Sequence, residues 1–182
     1  MSRMSLRALV ATFLLIAIAL LAACGGEDGT KFDQQGAPFT FSYPKDLQKV
    51  FANTGREIQG LNPEYRVALG TDETNVVVVA TYKLAKDVSK VSKTNLSIAV
   101  ERSARALARA MNAEIPKKSS TDLGELPATQ FEFVTKDRSL TTRLVYAFQG
   151  KTQYFVRCQW NESGKDSIPP ACDQVTKTFA PN

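Results

Sequence analysis

The sequence predicts an α+β domain rather than an alternating α/β one. Three observations carry that reading. A single long helical pattern lies in mid-chain. Strand-like alternation comes before it and again, in consecutive runs joined by turn residues, after it. A short helical pattern starting at a proline pair closes the chain.

Taken in order, Phe39, Phe41 and Tyr43 alternate with Thr40 and Ser42 until Pro44, which predicts a strand and a turn. Leu47, Val50 and Phe51 suggest a helical turn ending at Asn53-Thr54-Gly55. Tyr65 to Leu69 reads as a strand, and Gly70-Thr71-Asp72 turns the chain into Val76 to Leu84. There Val76, Val78, Ala80, Tyr82 and Leu84 share one face, while Val77 and Val79 make the other apolar too. A strand greasy on both faces belongs in the middle of a sheet, covered from both sides.

Residues 95–112 form the clearest helix. Leu96, Val100, Ala104, Leu107 and Met111 stack at helical spacing, in an Ala-rich segment without internal Gly or Pro. After Pro116 alternation returns. Phe131 and Phe133 share a face, as do Leu140, Leu144, Tyr146 and Phe148, and then Tyr154, Val156, Cys158 and Trp160. Asp137-Arg138 and Gly150-Lys151 supply tight turns between these runs, so the expectation is a three-stranded antiparallel meander. Pro169 and Pro170 suit the first turn of a last helix, in which Cys172, Val175 and Phe179 fall on one face.

The first two dozen residues state where the chain works. Arg3 and Arg7 precede an apolar run from Ala8 to Leu20, relieved only by Thr12, and the run ends in Leu21-Ala22-Ala23-Cys24. A basic start, a greasy core and a small-residue cleavage site make an export signal. The Leu-Ala-Ala-Cys tetrapeptide resembles the bacterial lipobox, which implies that Cys24 becomes the acylated first residue of a lipoprotein held at the cell membrane, facing the extracytoplasmic side. A retained transmembrane helix is the alternative. The apolar stretch falls short of the ~20 residues a span needs, and Gly25-Gly26-Glu27-Asp28-Gly29 carries no positive stop-transfer cluster. The expected organisation is a signal peptide at 1–23, a polar tether at 24–36 and one domain at 37–182.

Composition removes several function classes. Losing residues 1–23 leaves 159, enough for one self-sufficient core. The mature part then holds 21 basic and 18 acidic side chains, too mild an excess to suggest nucleic acid. Histidine is absent, so a His triad, a His zinc site and a His general base are all excluded. No cofactor or metal site is expected. Glu27-Asp28 with Asp33 lacks the ligand spacing of a calcium loop. Asp122, Glu125, Glu132 and Asp137 read as a solvated strand face rather than a catalytic acid pair. With Cys24 acylated, Cys158 and Cys172 remain. In an oxidising envelope two leftover cysteines pair, and both period arguments turn these two inward at one interface.

With this order of elements the chain is similar to the PsbP-like family, shared by extrinsic photosystem II proteins, a Ran-binding import factor and many small bacterial lipoproteins. The residues that carry the likeness are Phe39-Thr40-Phe41-Ser42-Tyr43-Pro44-Lys45-Asp46, the run from Leu123 to Phe133, Arg143 to Phe148, and Tyr154 to Cys158 before the last helix. The family's usual tryptophan after the Tyr-Pro turn is Leu47 here. The resemblance implies a twisted antiparallel β-sheet sandwiched by α-helices and no shared active site, its members mostly binding other macromolecules.

The leading expectation is therefore a non-enzymatic envelope lipoprotein that binds an acidic protein or an envelope polymer. Ile98, Arg102, Arg105 and Arg109 are its candidate contact residues, on the helix face opposite Val100, Leu107 and Met111. Glu101 can pair with Arg105 at i+4, leaving Arg102 and Arg109 unmatched. The alternative is a carrier holding a lipid-like molecule between sheet and helix. Dense aromatic content argues against such a cavity, since Tyr146, Tyr154, Trp160 and the phenylalanines read as core. Lys83, Lys86, Lys90 and Lys93 crowd the strand-to-helix connection, which reads as a solvated loop with anionic attraction as its alternative. A carboxylate-only hydrolase is the weakest reading.

Overall fold

The valine run at 76–79 sets the architecture, because a strand apolar on both faces needs a cover on each. In the computed structural model, which describes residues 29–50 and 62–182, this strand is β5 (Val76–Lys83), and all of its residues but Lys83 are buried. The leader, Cys24 and the Phe51 to Gly55 turn lie outside the described residues. Around β5 runs a seven-stranded antiparallel sheet in the order β3-β4-β5-β9-β8-β7-β6. Its other members are β3 (Gln48–Lys49), β4 (Tyr65–Gly70), β6 (Lys117–Leu123), β7 (Leu126–Val134), β8 (Thr141–Gln149) and β9 (Thr152–Trp160).

One face is covered by helix α1 (Lys93–Ala110), which Ser92 caps by accepting the Asn95 amide. Val100, Ala104 and Ala108 are its buried residues, facing Ala80, Tyr82, Phe131, Phe133, Leu144, Tyr146 and Phe155. Two alanines at the contact let the helix axis approach the aromatic sheet surface closely, while Leu96, Leu107 and Met111 pack at its flanks.

The other face is covered by helix α2 (Ile168–Thr178) together with a small three-stranded sheet. That sheet has the order β1-β2-β10, from β1 (Gly29–Phe32), β2 (Phe39–Pro44) and β10 (Ala180–Pro181). The domain is therefore an antiparallel, sheet-rich α+β fold with two helices. The finer expectation of a sheet sandwiched by helices holds only in part: α1 covers one face, but on the other α2 shares the cover with strands. Phe32, Phe39 and Phe41 reach from these strands into the core that α2 enters through Ile168, Ala171, Cys172 and Val175.

Cys158 of β9 and Cys172 of α2 are joined by a disulfide with Cα atoms 6.0 Å apart, and neither is exposed. The pairing read from the two periodicities is the one present.

Three local expectations differ. The tether was expected to run to residue 36, but Gly29–Phe32 pairs antiparallel with β2, and Phe32 is buried and stacked on Phe41. One large apolar side chain suffices to hold this strand, because β2 already offers a free edge. The helical turn expected after Pro44 is instead a turn leading into β3, which pairs with β4, and Leu47 is buried. The meander has four strands, not three. β6, reading Lys-Lys-Ser-Ser-Thr-Asp-Leu, pairs with β7 at the sheet edge. Its hairpin turns on Gly124, whose φ of +58° is easy only for glycine. A Cβ there would lie 1.8 Å from the Phe179 carbonyl oxygen.

Candidate functional site

Between α1 and the sheet, at the end where β5 hands over to the helix, lies an open cleft of about 400 Å³. This size falls within the range of small-molecule sites. Each wall has a local cause. The connection after β5 is held down by backbone bonds, Leu84 N–H to the Lys151 carbonyl (2.8 Å) and Val88 N–H to the Gly150 carbonyl (2.9 Å). Those bonds set Leu84, Val88 and Val91 along one side. Leu96, Ala99 and Val100 come from the first turns of α1, and Phe148 and Tyr146 rise from β8. The lining is overwhelmingly apolar.

Lys86, Asn95 and Ser103 add polar atoms to it, and two buried polar groups, Gln153 and Tyr146, come from the sheet. Gln153 stands opposite Phe148 on β8 and Tyr82 on β5, so it shares the sheet face beneath α1. Its side chain is 8 % exposed, and its Nε2 has no hydrogen-bond partner. Tyr146 is 2 % exposed, with its hydroxyl likewise lacking a well-formed hydrogen bond. Burial pushes the Tyr146 phenol up to about 12, which Ser103 opposes only in part. Unpartnered buried donors cost about 1–3 kcal/mol each, and this kind of group calls for a reason in water or ligand.

Sequence reasoning weighed Tyr146 and the phenylalanines as a pocket lining and read them as core, and it did not single out Gln153 or Leu84 for a site. The signal was faint. A glutamine in phase with Phe155, on the face of β9 opposite Tyr154, Val156 and Cys158, is the one mark of it.

The four residues proposed for partner contact sit together on α1. Ile98 is 45 % exposed, and Arg102 and Arg109 are exposed. Arg105 is half-buried and tied to Glu101 by two bonds, of 3.0 and 2.8 Å. Lys118 of β6 also approaches Glu101 (3.8 Å) and donates to Ser97 Oγ at 2.7 Å. The Arg105 hydrogen bond, more than any other contact, holds the Glu101 carboxyl below its usual range. Arg105 is thus committed within the helix, and the outward face is Ile98, Arg102 and Arg109. Cys24 lies outside the described residues.

The carboxylates considered for catalysis are dispersed. Glu132 accepts from Arg143 at 3.1 Å, and Arg143 also reaches Asp173 at 2.6 Å and lies over the Trp160 ring. Asp122 and Glu125 are exposed on the β6–β7 hairpin. Among the described residues no group of His, Cys, Asp or Glu could hold a metal, and no helix is long and apolar enough to cross a membrane.

Asp137 is a turn cap. Its Oδ1 accepts from Thr135 Oγ1 (2.6 Å), the Ser139 amide (3.0 Å) and Ser139 Oγ (2.8 Å). These bonds, Thr135 first, lower its carboxyl to about 2. A depressed folded-state value stabilises the fold above the unfolded value near 3.8 and is lost as pH falls toward 2. Asp137→Ala should therefore flatten the decline in melting temperature between pH 4 and pH 2. An unchanged acid limb in calorimetry would refute this role.

No family model and no curated protein matches the chain, but solved structures do. Cyanobacterial PsbP from Synechocystis is similar with a TM-score of 0.57 at 14% identity, over 90% of this chain and 99% of that one. A protein from Bacteroides thetaiotaomicron matches with a TM-score of 0.52 at 14% identity, over 85% of this chain. The match spans 49% of that protein, so this chain covers about half of its length. LpqN of Mycobacterium tuberculosis, described as involved in cell envelope biogenesis, matches over 86% of both chains at 11% identity with a TM-score of 0.48. At such identities it is the architecture that is shared, and the match to cyanobacterial PsbP over nearly its whole length agrees with the sequence resemblance: the chain has the PsbP-like fold.

Proposed function

We propose that this is a lipid-anchored extracytoplasmic binding module that acts without catalysis and holds a small apolar molecule in the cleft between α1 and the sheet. The observation that carries this reading is the cleft itself, about 400 Å³ with apolar walls and two unpartnered buried donors. It reverses the order of the two expectations from sequence. The aromatics fill the core nearly everywhere, yet at Tyr146 and Phe148 they line open space. The buried Cys158–Cys172 disulfide suits an oxidising compartment, in keeping with the export signal and the lipobox-like Cys24. Two acyl chains on Cys24 would make the anchor stable, since each buried methylene contributes about 0.8 kcal/mol.

A second reading rests on Ile98 with Arg102 and Arg109, an exposed aliphatic among unshared guanidinium groups that suits an acidic protein or polymer.

One measurement separates the parts. Native mass spectrometry of the detergent-extracted protein is expected to show loss of residues 1–23, a diacylglyceryl-type mass on Cys24 and one small molecule bound non-covalently. Protein recovered empty, with a reproducible protein companion instead, would replace the cleft reading with the arginine-face one. An unmodified Cys24 with the leader retained would remove the anchor.

A further inference from the structure

The rim of the cleft carries a charge pattern that the apolar lining alone does not explain. Residues 84–93 hold Lys86, Lys90 and Lys93, all exposed, against a single acid, Asp87. Asp87 is engaged locally: it caps the short 3₁₀ turn Val88–Lys90 and accepts from the Ser89 amide (2.9 Å) and hydroxyl (2.7 Å). Lys151 sits in the turn that the same connection is bonded to. Lys86 is itself part of the cleft lining, and so is Asn95 in the first turn of α1.

That first turn breaks a local rule. The N-terminus of a helix is the positive end of its dipole, where acidic side chains are favoured and cations are not. α1 has no acid in its first turn and begins on Lys93. The positive end of an 18-residue helix, Lys93 and Lys86 thus add at one mouth rather than offsetting one another. Departures of this kind from local consistency gather at functional sites. The wall behind them offers donors that lack acceptors, Gln153 Nε2 and Tyr146 Oη, both on side chains more than nine-tenths buried.

Donors, positive charge and an apolar cleft are complementary to one kind of molecule. We infer that the cleft binds a single long-chain carboxylate, with its hydrocarbon against Leu84, Val88, Leu96 and Phe148 and its head between Lys86 and the first turn of α1. A carboxylate only accepts hydrogen bonds, which is what these surroundings lack. A cleft of about 400 Å³ lies near the lower end of small-molecule sites, which favours one chain over a two-chain lipid.

The inference rests on the cleft reading, and the test keeps the two apart. Membranes containing the full-length protein are treated with a photoactivatable palmitate analogue, or with its uncharged glycerol monoester bearing the same chain. Labelled peptides are mapped by mass spectrometry. The carboxylate should label peptides from residues 84–100 and 146–153, and the monoester should label them much more weakly. The double variant Lys86→Glu, Lys93→Glu should lose labelling about tenfold, the effect of ~1.4 kcal/mol. Its melting temperature should hold or rise, because both side chains are exposed and Glu at position 93 suits the helix dipole. Equal labelling by both probes, unaffected by the charge reversals, would overturn the carboxylate while leaving the cleft a binding site. No labelling of these peptides by either probe would overturn both.

Discussion

Phe39→Ala is expected to lower the stability of the folded chain by about 3–5 kcal/mol, the range for removing a fully buried phenylalanine. Phe39 has no exposed surface and touches four rings: Phe32 and Phe41 at 5.9 Å, Phe179 at 5.6 Å and Tyr65 edge-on at 5.4 Å. Those partners come from β1, β2, the segment after α2 and β4. The ring therefore fastens the small sheet and the C-terminal segment to the large sheet at one point. Collapse into the space left by alanine would have to move three separate chain segments together, which keeps the cost toward the upper part of the range. In a domain of this size the change should lower the melting temperature by roughly 10 °C. A drop of only 2 or 3 °C (about 1 kcal/mol) in thermal unfolding would mean that the small sheet is an ornament rather than a cover.

The second large effect is expected from Cys158→Ala with Cys172→Ala. The bond closes a loop of sequence separation 14, worth about 3 kcal/mol in the chain-entropy model. It also fixes α2 onto β9 at the centre of the core, and both cysteines have zero exposure. Because the sulfurs are enclosed, the native bond should resist mild reductant until the fold opens. The expected pattern is a melting temperature lower by roughly 6–12 °C, with little change in the wild type under dithiothreitol at room temperature. Rapid thiol release from the native protein, or a double variant as stable as the parent, would contradict the structural role given to the bond.

How much of this was legible in sequence depended on how many neighbours each residue needed. The β5 valines and the 96-100-104 stripe of α1 declare themselves, because burial on a defined face leaves a period. The cysteines could be paired for the same reason. β6 could not be read from Lys-Lys-Ser-Ser-Thr-Asp-Leu. An edge strand bonds on one side only, and its exposed residues from Lys117 to Asp122 owe the core nothing. Lysines are what such an edge carries against stray pairing. β1 was hidden by its glycine-rich approach, with Phe32 as its sole large apolar residue. The cleft was hidden differently. Tyr146 and Phe148 alternate as core residues do, and whether a helix fully covers them depends on where α1 begins over the sheet, a tertiary fact.

The early start of β1 also changes the mechanics of the whole molecule. A tether running to residue 36 would have been a long leash. With Gly29 already paired to Pro44, only residues 24–28 separate Cys24, the proposed site of the lipid, from the folded body, a reach of at most about 17 Å at full stretch. The body's own radius of gyration is about 15 Å for a domain of this length, so the leash is shorter than the body is wide. On the proposed anchor, such a protein could not swing freely into the surrounding space or hand cargo across a wide gap, and the β1–β2 ribbon would be its pivot. Whatever the proposed cleft takes would then be met at the membrane surface and released there, which would make the protein a fixed station on the membrane rather than a ferry.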